Sequence, residues 1–153
     1  MKKVVHNLWR AKAPSCIQDI IEWRTNGIIL VICLQEGWSW LGKSFKAERL
    51  WEMSGADYHK QAFSNFFPPT YDECEQLSRM IDKQATLVHC KAGVDRTGFL
   101  CSYYLATRTD ITMEAAWEYA IKEGMHWWYK ILWKRAFFKA AMEHGKNLCK
   151  ANV

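Results

Sequence analysis

Short apolar runs alternate along this chain with stretches whose apolar residues recur at helical spacing. Val4-Val5 marks a short opening strand, with a turn near Asn7-Leu8-Trp9-Arg10. Pro14-Ser15 starts a helix. Ser15 and Gln18 have capping-box spacing, Ile17, Ile20 and Ile21 give an apolar side, and Trp23 or Arg24 lies near the end, before a stop at Asn26-Gly27. Ile28 to Leu34 is a β-branched run that predicts a strand covered on both faces. Gln35 to Lys43 reads as a loop whose Trp38 and Trp40 cover the end of a sheet or floor a substrate cleft, covering being the favoured role. Phe45 to Met53 predicts a helix anchored by Phe45, Leu50 and Trp51 and ended by Gly55, and Tyr58 to Phe63 a short strand.

Pro68-Pro69 stops any continuation, and Thr70 with Glu73 forms a capping box that opens a helix to about Lys83. Its apolar positions are Cys74, Leu77, Met80 and Ile81. A second apolar run, Ala85 to Val88, leads through His89-Cys90 into a tight loop and a helix over Thr97 to Leu105. Asp110-Ile111-Thr112 introduces a helix from Met113 to Lys122 with Ala116, Trp117, Ala120 and Ile121 as its buried stripe, and Gly124 breaks it. A last helix, from His126 or Trp127 to His144, carries Trp128, Ile131, Leu132, Phe138 and Met142 among lysines. Strands alternating with helices predict an α/β fold: a single domain over residues 1–153 with a mostly parallel central sheet flanked by helices.

Composition narrows the function classes. With 153 residues, 50% hydrophobic and 24% charged, the chain has the size and balance of one globular domain with a real core. No apolar run is long enough to span a bilayer. Met1 to Asn7 has two lysines without a sustained apolar stretch behind them, so a secretory signal is not expected and a cytoplasmic setting is. The six cysteines show no disulfide framework and read as reduced thiols, and the histidines have no zinc-like spacing, so no metal or cofactor is expected. Residues 1–121 hold 14 basic and 14 acidic side chains, whereas residues 122–153 hold 7 basic and 2 acidic, which places the whole net charge of +5 in the C-terminal part. Such a surface favours an anionic substrate or surface.

The chemistry concentrates in Leu87 to Phe99, L-V-H-C-K-A-G-V-D-R-T-G-F. A thiol stands where a strand ends, and a guanidinium where a helix begins. Loop amides and the positive helix end stabilise a thiolate and a bound phosphate together. A cysteine is held back as a nucleophile mainly by its pKa near 8.5. The planar fork of Arg96 suits two equatorial oxygens of a transferring phosphoryl group.

His89 to Gly98 resembles the catalytic loop of the cysteine-dependent tyrosine and dual-specificity phosphatases. The His-Cys pair, the five-residue gap to Arg, the mid-loop Gly and the following Thr-Gly are all present. An N-terminal Trp/Tyr-Arg segment, a Pro, a helix, a Gly and a strand precede the active-site half, as in that family. The resemblance implies that Cys90 attacks phosphorus while Arg96 and the loop 91–96 (Lys91, Ala92, Gly93, Val94, Asp95, Arg96) hold the phosphate. It also implies that His89 orients the loop, that Thr97 assists the departing thiolate, and that Gly93 and Gly98 permit close backbone approach. Arg-Thr-Gly fits phosphate chemistry better than sulfur transfer.

The resemblance implies a general acid, an aspartate on a mobile loop upstream of the Cys, which in lipid-directed and several dual-specificity members lies three residues before a Pro-Pro-like pair. Here that position is Asn65, which donates a hydrogen bond but delivers no proton. Asp95 is the favoured replacement, with a purely structural, loop-holding role as its equal alternative. Asp57 and Asp72 are the other candidates; Asp57 precedes its predicted strand, and Asp72 sits in a first helical turn that favours the ionised form. Cys-Lys-Ala-Gly is similar to the phosphoinositide phosphatases, and Lys-Ala-Gly-x-Asp-Arg-Thr-Gly to small bacterial tyrosine-phosphatase-like proteins, in which Gly124-Met125-His126 also has a counterpart.

The expected activity is hydrolysis of phosphate monoesters, phosphotyrosine or dual-specificity. Phosphoinositide or inositol phosphate hydrolysis, and phospho-binding with weak turnover, are the alternatives. The expected partner is a phosphorylated protein or a small anionic phosphate ester, with no specific nucleic acid. The interleaved aromatics and bases of Met125 to Lys139 read as core with a wet lysine face, or as a dock for an anionic membrane.

Overall fold

A computed structural model describes residues 1–35, 55 and 57–151. In chain order the elements are β1 (Lys2–Val5), β2 (Leu8–Lys12), α1 (Ile17–Thr25), β3 (Leu30–Cys33), β4 (Asp57–Lys60), α2 (Tyr71–Lys83), β5 (Thr86–Cys90), α3 (Asp95–Arg108), α4 (Met113–Lys122), α5 (Trp127–Leu132) and α6 (Lys134–Ala151). The strands form one sheet in the order β1-β2-β5-β3-β4, parallel except for the antiparallel pair β1–β2. This is the expected α/β architecture. β5 enters last and lies between β2 and β3, so its C-terminal end opens at the centre of the sheet, where α/β folds place their ligands.

Alternation along the strands divides the core in two. Leu8, Leu30, Ile32 and Val88 face a large cluster built with α2 to α6, and Val31 and Leu87 face a small cluster closed by Ile20 and Trp23 of α1. β3 and β5 are buried on both faces; β3 reads as a continuous apolar run, while β5 also buries Thr86 and His89. Phe99 of α3 is the centre of the larger cluster and meets Trp117, Trp133 and Phe137 edge-on, at 6.4, 5.6 and 6.0 Å between ring centroids.

Several boundaries differ from the sequence reading. The turn expected near Asn7 to Arg10 is confined to His6-Asn7: residues 8–12 form β2, bonded to β5 in parallel register. α1 is capped at Cys16 rather than Ser15, because Asp19 reaches back and accepts from the Ser15 amide at 2.6 Å and the Ser15 hydroxyl at 2.8 Å. Of the predicted α1 stripe only Ile20 is buried; Ile17 and Ile21 are exposed and Trp23 takes their place. The last helix is two helices with a break at Trp133. Burial nevertheless follows one series across the break: Tyr129, Trp133, Phe137 and Ala140 point inward while Trp128, Ile131, Leu132 and Met142 point out. Trp38, Trp40 and the helix expected over 45–53 lie outside the described residues.

A charged cluster ties α2, α3 and α6 together. Buried Glu75 accepts from Arg108 at 2.8 Å, Arg79 at 3.1 Å and Tyr103 at 3.2 Å, and lies 3.2 Å from His144 Nδ1. Arg108 also donates to Asp82 at 3.0 Å. Burial pushes the Glu75 carboxyl up, but the hydrogen bonds from Arg108 and Arg79 outweigh it and hold it below its ordinary value. Stabilisation from Glu75 is therefore complete above the unfolded pKa of about 4.3 and disappears as pH falls through the lower folded value. Glu75→Ala leaves Arg108 facing a buried gap and should cost about 3 kcal/mol in urea unfolding. Glu75→Gln should flatten the acid side of the stability profile, and an unchanged acid side would place the pH dependence elsewhere.

Candidate active site

The alternation of β5 decides which side chains reach the site. Val88 and Cys90 share the face covered by α3, while His89 turns to the opposite face, where its ring lies 5.9 Å from that of Trp23. β3 pairs with β5 only as far as His89, and Cys90 extends one residue further, paired with Lys12 of β2. The Cys90 side of the loop therefore begins beyond the β3 ladder. Cys90 is almost fully buried.

Loop 91–94 leaves the strand and enters α3 at Asp95. The Ala13 amide donates to the Lys91 carbonyl at 3.2 Å, and the Gly98 amide to the Val94 carbonyl at 2.7 Å. Gly93 has φ +71°, and a Cβ there would run into the Ala11 carbonyl and lie 2.7 Å from the Lys12 nitrogen. Only glycine satisfies both demands. Gly98 sits where a Cβ would come to 3.4 Å from the Met125 methyl and 3.5 Å from the Ala120 Cβ, which sets how closely α3 packs on α4.

Arg10 is the residue that sequence reading placed in a turn and gave no role at the site. It pairs with Val88 in the β2–β5 ladder, which puts its side chain on the α3 face. There it is buried and donates through Nη2 to the Gly93 carbonyl at 2.5 Å. Its Nη1 lies 3.4 Å from the Tyr119 hydroxyl and 3.9 Å from Glu123, and the guanidinium sits 5.6 Å from the Tyr119 ring centroid. A charged side chain in the middle of a buried ladder was the available signal.

Arg96 is buried at the start of α3, and its Nη1 has no hydrogen-bond partner. A buried guanidinium donor without a protein acceptor is costly unless an anion completes it. The hydroxyl of Thr97 is likewise buried without a partner. His89 is held neutral: burial pushes its pKa down to about 4, against an opposing pull from the Cys90 backbone. Cys101, one turn behind the loop, is pushed up to about 12 by burial, which keeps that thiol protonated. Among the described residues no three His, Cys, Asp or Glu side chains converge as a metal site.

The acid candidates are dispersed. Asp95 projects from the first turn of α3, and both its oxygens are engaged by one residue. Its Oδ1 accepts from the His126 amide at 2.8 Å and its Oδ2 lies 2.7 Å from His126 Nδ1. His126 is half-exposed and stacks on Trp128, 5.4 Å between centroids at 7°. The Asn65 carbonyl accepts from the Tyr129 hydroxyl at 2.8 Å, and the Tyr129 hydroxyl is near enough to Asp95, Arg96 and Cys90 to feel their charges. Asp57 begins β4 level with Leu30 and, across β3, with Thr86, at the strand end opposite Cys90. Asp72 is exposed in the first turn of α2 and lines a groove with Pro68, Pro69 and α6.

The family description "dual specificity phosphatase, catalytic domain" matches residues 13–146. The chain belongs to that family. No curated protein sequence matches it. Among solved structures, that of PTPMT1 is similar with a TM-score of 0.79 at 16% identity, covering 97% of this chain and 98% of that one. PTPMT1 in complex with PI(5)P gives 0.69 at 17%, covering 92% and 96%, and Tk-PTP in its active form 0.70 at 16%, covering 93% and 95%. Membership in this phosphatase family carries a cysteine-based phosphomonoesterase mechanism in general. Gly93 and Arg10 together press the loop after Cys90 onto β2.

Gly93→Ala should therefore lower kcat/KM on p-nitrophenyl phosphate by about 100-fold or more with the far-UV circular dichroism retained, since displacement of about 1 Å in such a site has that effect. Arg10→Met should lower kcat by about tenfold. Arg10→Lys should not restore it, because one ammonium cannot serve Gly93, Tyr119 and Glu123 together.

Proposed function

We propose that this phosphatase hydrolyses phosphate monoesters through a cysteinyl-phosphate intermediate, with phosphoinositide or inositol phosphate headgroups as its preferred substrates. The observation that carries the proposal is the buried, unpartnered Nη1 of Arg96 one loop away from the Cys90 strand end. In this reading the Cys90 thiolate attacks phosphorus, the S–P bond forms and the P–O bond to the leaving group breaks. Arg96 and the amides of residues 91–96 hold the equatorial oxygens throughout. Water then attacks phosphorus and gives its proton back to the Asp95–His126 pair, which lost one in the first step; the S–P bond breaks, and the unpartnered hydroxyl of Thr97 donates to the departing thiolate.

The leaving oxygen takes its proton from the Asp95–His126 pair. Asp95 alone is poorly suited, because both its oxygens are occupied by His126. The 2.7 Å contact between Asp95 Oδ2 and His126 Nδ1 lets the two side chains handle one proton together. Asn65 holds its place through Tyr129 and offers no proton of its own.

Two features favour headgroups carrying more than one phosphate. Lys91 is exposed immediately after Cys90, a cation at the mouth for a second anionic group. The PTPMT1 fold, similar over nearly the whole chain, was solved in complex with PI(5)P. The family description favours a second reading, phosphotyrosine or dual-specificity activity. The Gly124-Met125-His126 segment docked on Asp95 supports the likeness to the small bacterial type. Asn65 favours a third, phospho-binding with weak turnover.

A panel of p-nitrophenyl phosphate, a tyrosine phosphopeptide, inositol phosphates and dispersed phosphoinositide separates the three. The expected order of kcat/KM places the inositol-based substrates first, and Cys90→Ser abolishes all turnover. Preference for the phosphopeptide would establish the second reading, and tight capture without release the third. The basic limb of the kcat/KM profile should vanish in both Asp95→Asn and His126→Gln. Its persistence in His126→Gln alone would assign the proton to Asp95 without its partner.

A further inference from the structure

α5 is turned inside out. Within Trp127–Leu132 only Tyr129 is buried, while Trp127, Trp128, Ile131 and Leu132 are 67, 45, 68 and 67% exposed. Trp127 with Ile131, and Trp128 with Leu132, form two i,i+4 rows along its outer side. Phe66 and Phe67, at 80 and 75%, extend the patch: Phe66 lines one apolar cleft of about 350 Å3 with Trp128 and Leu132. A folded monomer rarely leaves so much contiguous apolar surface in water without a use for it.

Charge says what the use is. No carboxylate occurs between Gly124 and Met142, whereas Lys130, Lys134, Arg135 and Lys139 do, and Lys134 and Arg135 follow the patch directly on exposed positions. Bulky aromatics bordered by cations and free of acids match the interfacial region of an anionic bilayer, where tryptophan rings sit among headgroups. The patch is also continuous with the catalytic mouth. His126, the residue before α5, is bonded to Asp95, and Tyr129 in the middle of α5 is bonded to the Asn65 carbonyl.

We infer that the α5 face and Phe66-Phe67 dock the phosphatase on an anionic lipid bilayer, with the loop 90–96 opening towards the headgroup layer. The role of this contact rests on the headgroup reading above, but the contact itself does not require turnover. Binding is therefore measured with Cys90→Ser protein as well as with the unmodified chain, which keeps the two readings separable.

The experiment is flotation of the full chain with vesicles of phosphatidylcholine alone and of phosphatidylcholine with phosphatidylglycerol, at about 0.1 and 0.5 M salt. The expected result is binding to the anionic vesicles at least about tenfold above the neutral ones, weaker at the higher salt. Trp127→Ala/Ile131→Ala should reduce it by about tenfold while p-nitrophenyl phosphate turnover stays unchanged, which also shows that the variant is folded. Equal partition of the variant and the unmodified chain, or no binding to anionic vesicles, overturns the inference. So does a concentration-dependent dimer in sedimentation that the double substitution dissolves, since it would assign the face to a second copy.

Discussion

The site depends on how closely the phosphate loop lies against β2. Gly93 brings its α-carbon so near the Ala11 carbonyl that no side chain fits, and the Gly93 carbonyl is held from the other side by Arg10. A carbonyl turned back towards a buried cation is one that does not face the anion. With the Lys91 carbonyl also occupied by Ala13 and the Val94 carbonyl by Gly98, three of the four carbonyls of residues 91–94 are taken up by the fold. What is left for a ligand is the donor side of the backbone. The geometry is thus a sorting of peptide dipoles, and Arg10 does as much of the sorting as the loop residues themselves.

Burial sharpens that field and carries a cost. Arg96 and Thr97, both in the first turn of α3 beside the loop, have buried polar side-chain atoms without partners. In a region of low dielectric, unmatched donors act strongly on any charge that enters and weaken the empty state. The surrounding α2–α3–α6 cluster of Glu75, Arg108, His144 and Asp82 is, by contrast, densely bonded. One end of α3 is left unsatisfied for the ligand and its other end is clamped.

The architecture was legible because its signals are local. Apolar runs at 28–34 and 85–88, the capping box at Thr70 and Glu73 and the Cys-to-Arg spacing each correspond to an element or loop of the structure. What was not legible depends on pairing over long separations. Leu8 to Lys12 alternates too little on its own to declare a strand, and only its ladder with Thr86 to Cys90 makes it one. Arg10 was hidden for the same reason, its role being fixed 83 residues away. The α5 phase was misread because two apolar series run along it, and the structure buries the one through Tyr129 and Trp133 rather than the one through Trp128, Ile131 and Leu132.

α5 joins the two halves of the functional reading. Trp133 drops into the core against Phe99 and Tyr129, and the short helix before it is tied down by Tyr129 and by the His126 contact with Asp95. The residues that pin α5 to the catalytic loop are therefore those that leave its other side chains no inward direction. Exposure of the aromatic face follows from the position of His126 and Tyr129 at the site, so a substitution that restored ordinary burial to α5 would have to pull the Asp95 partner away from it.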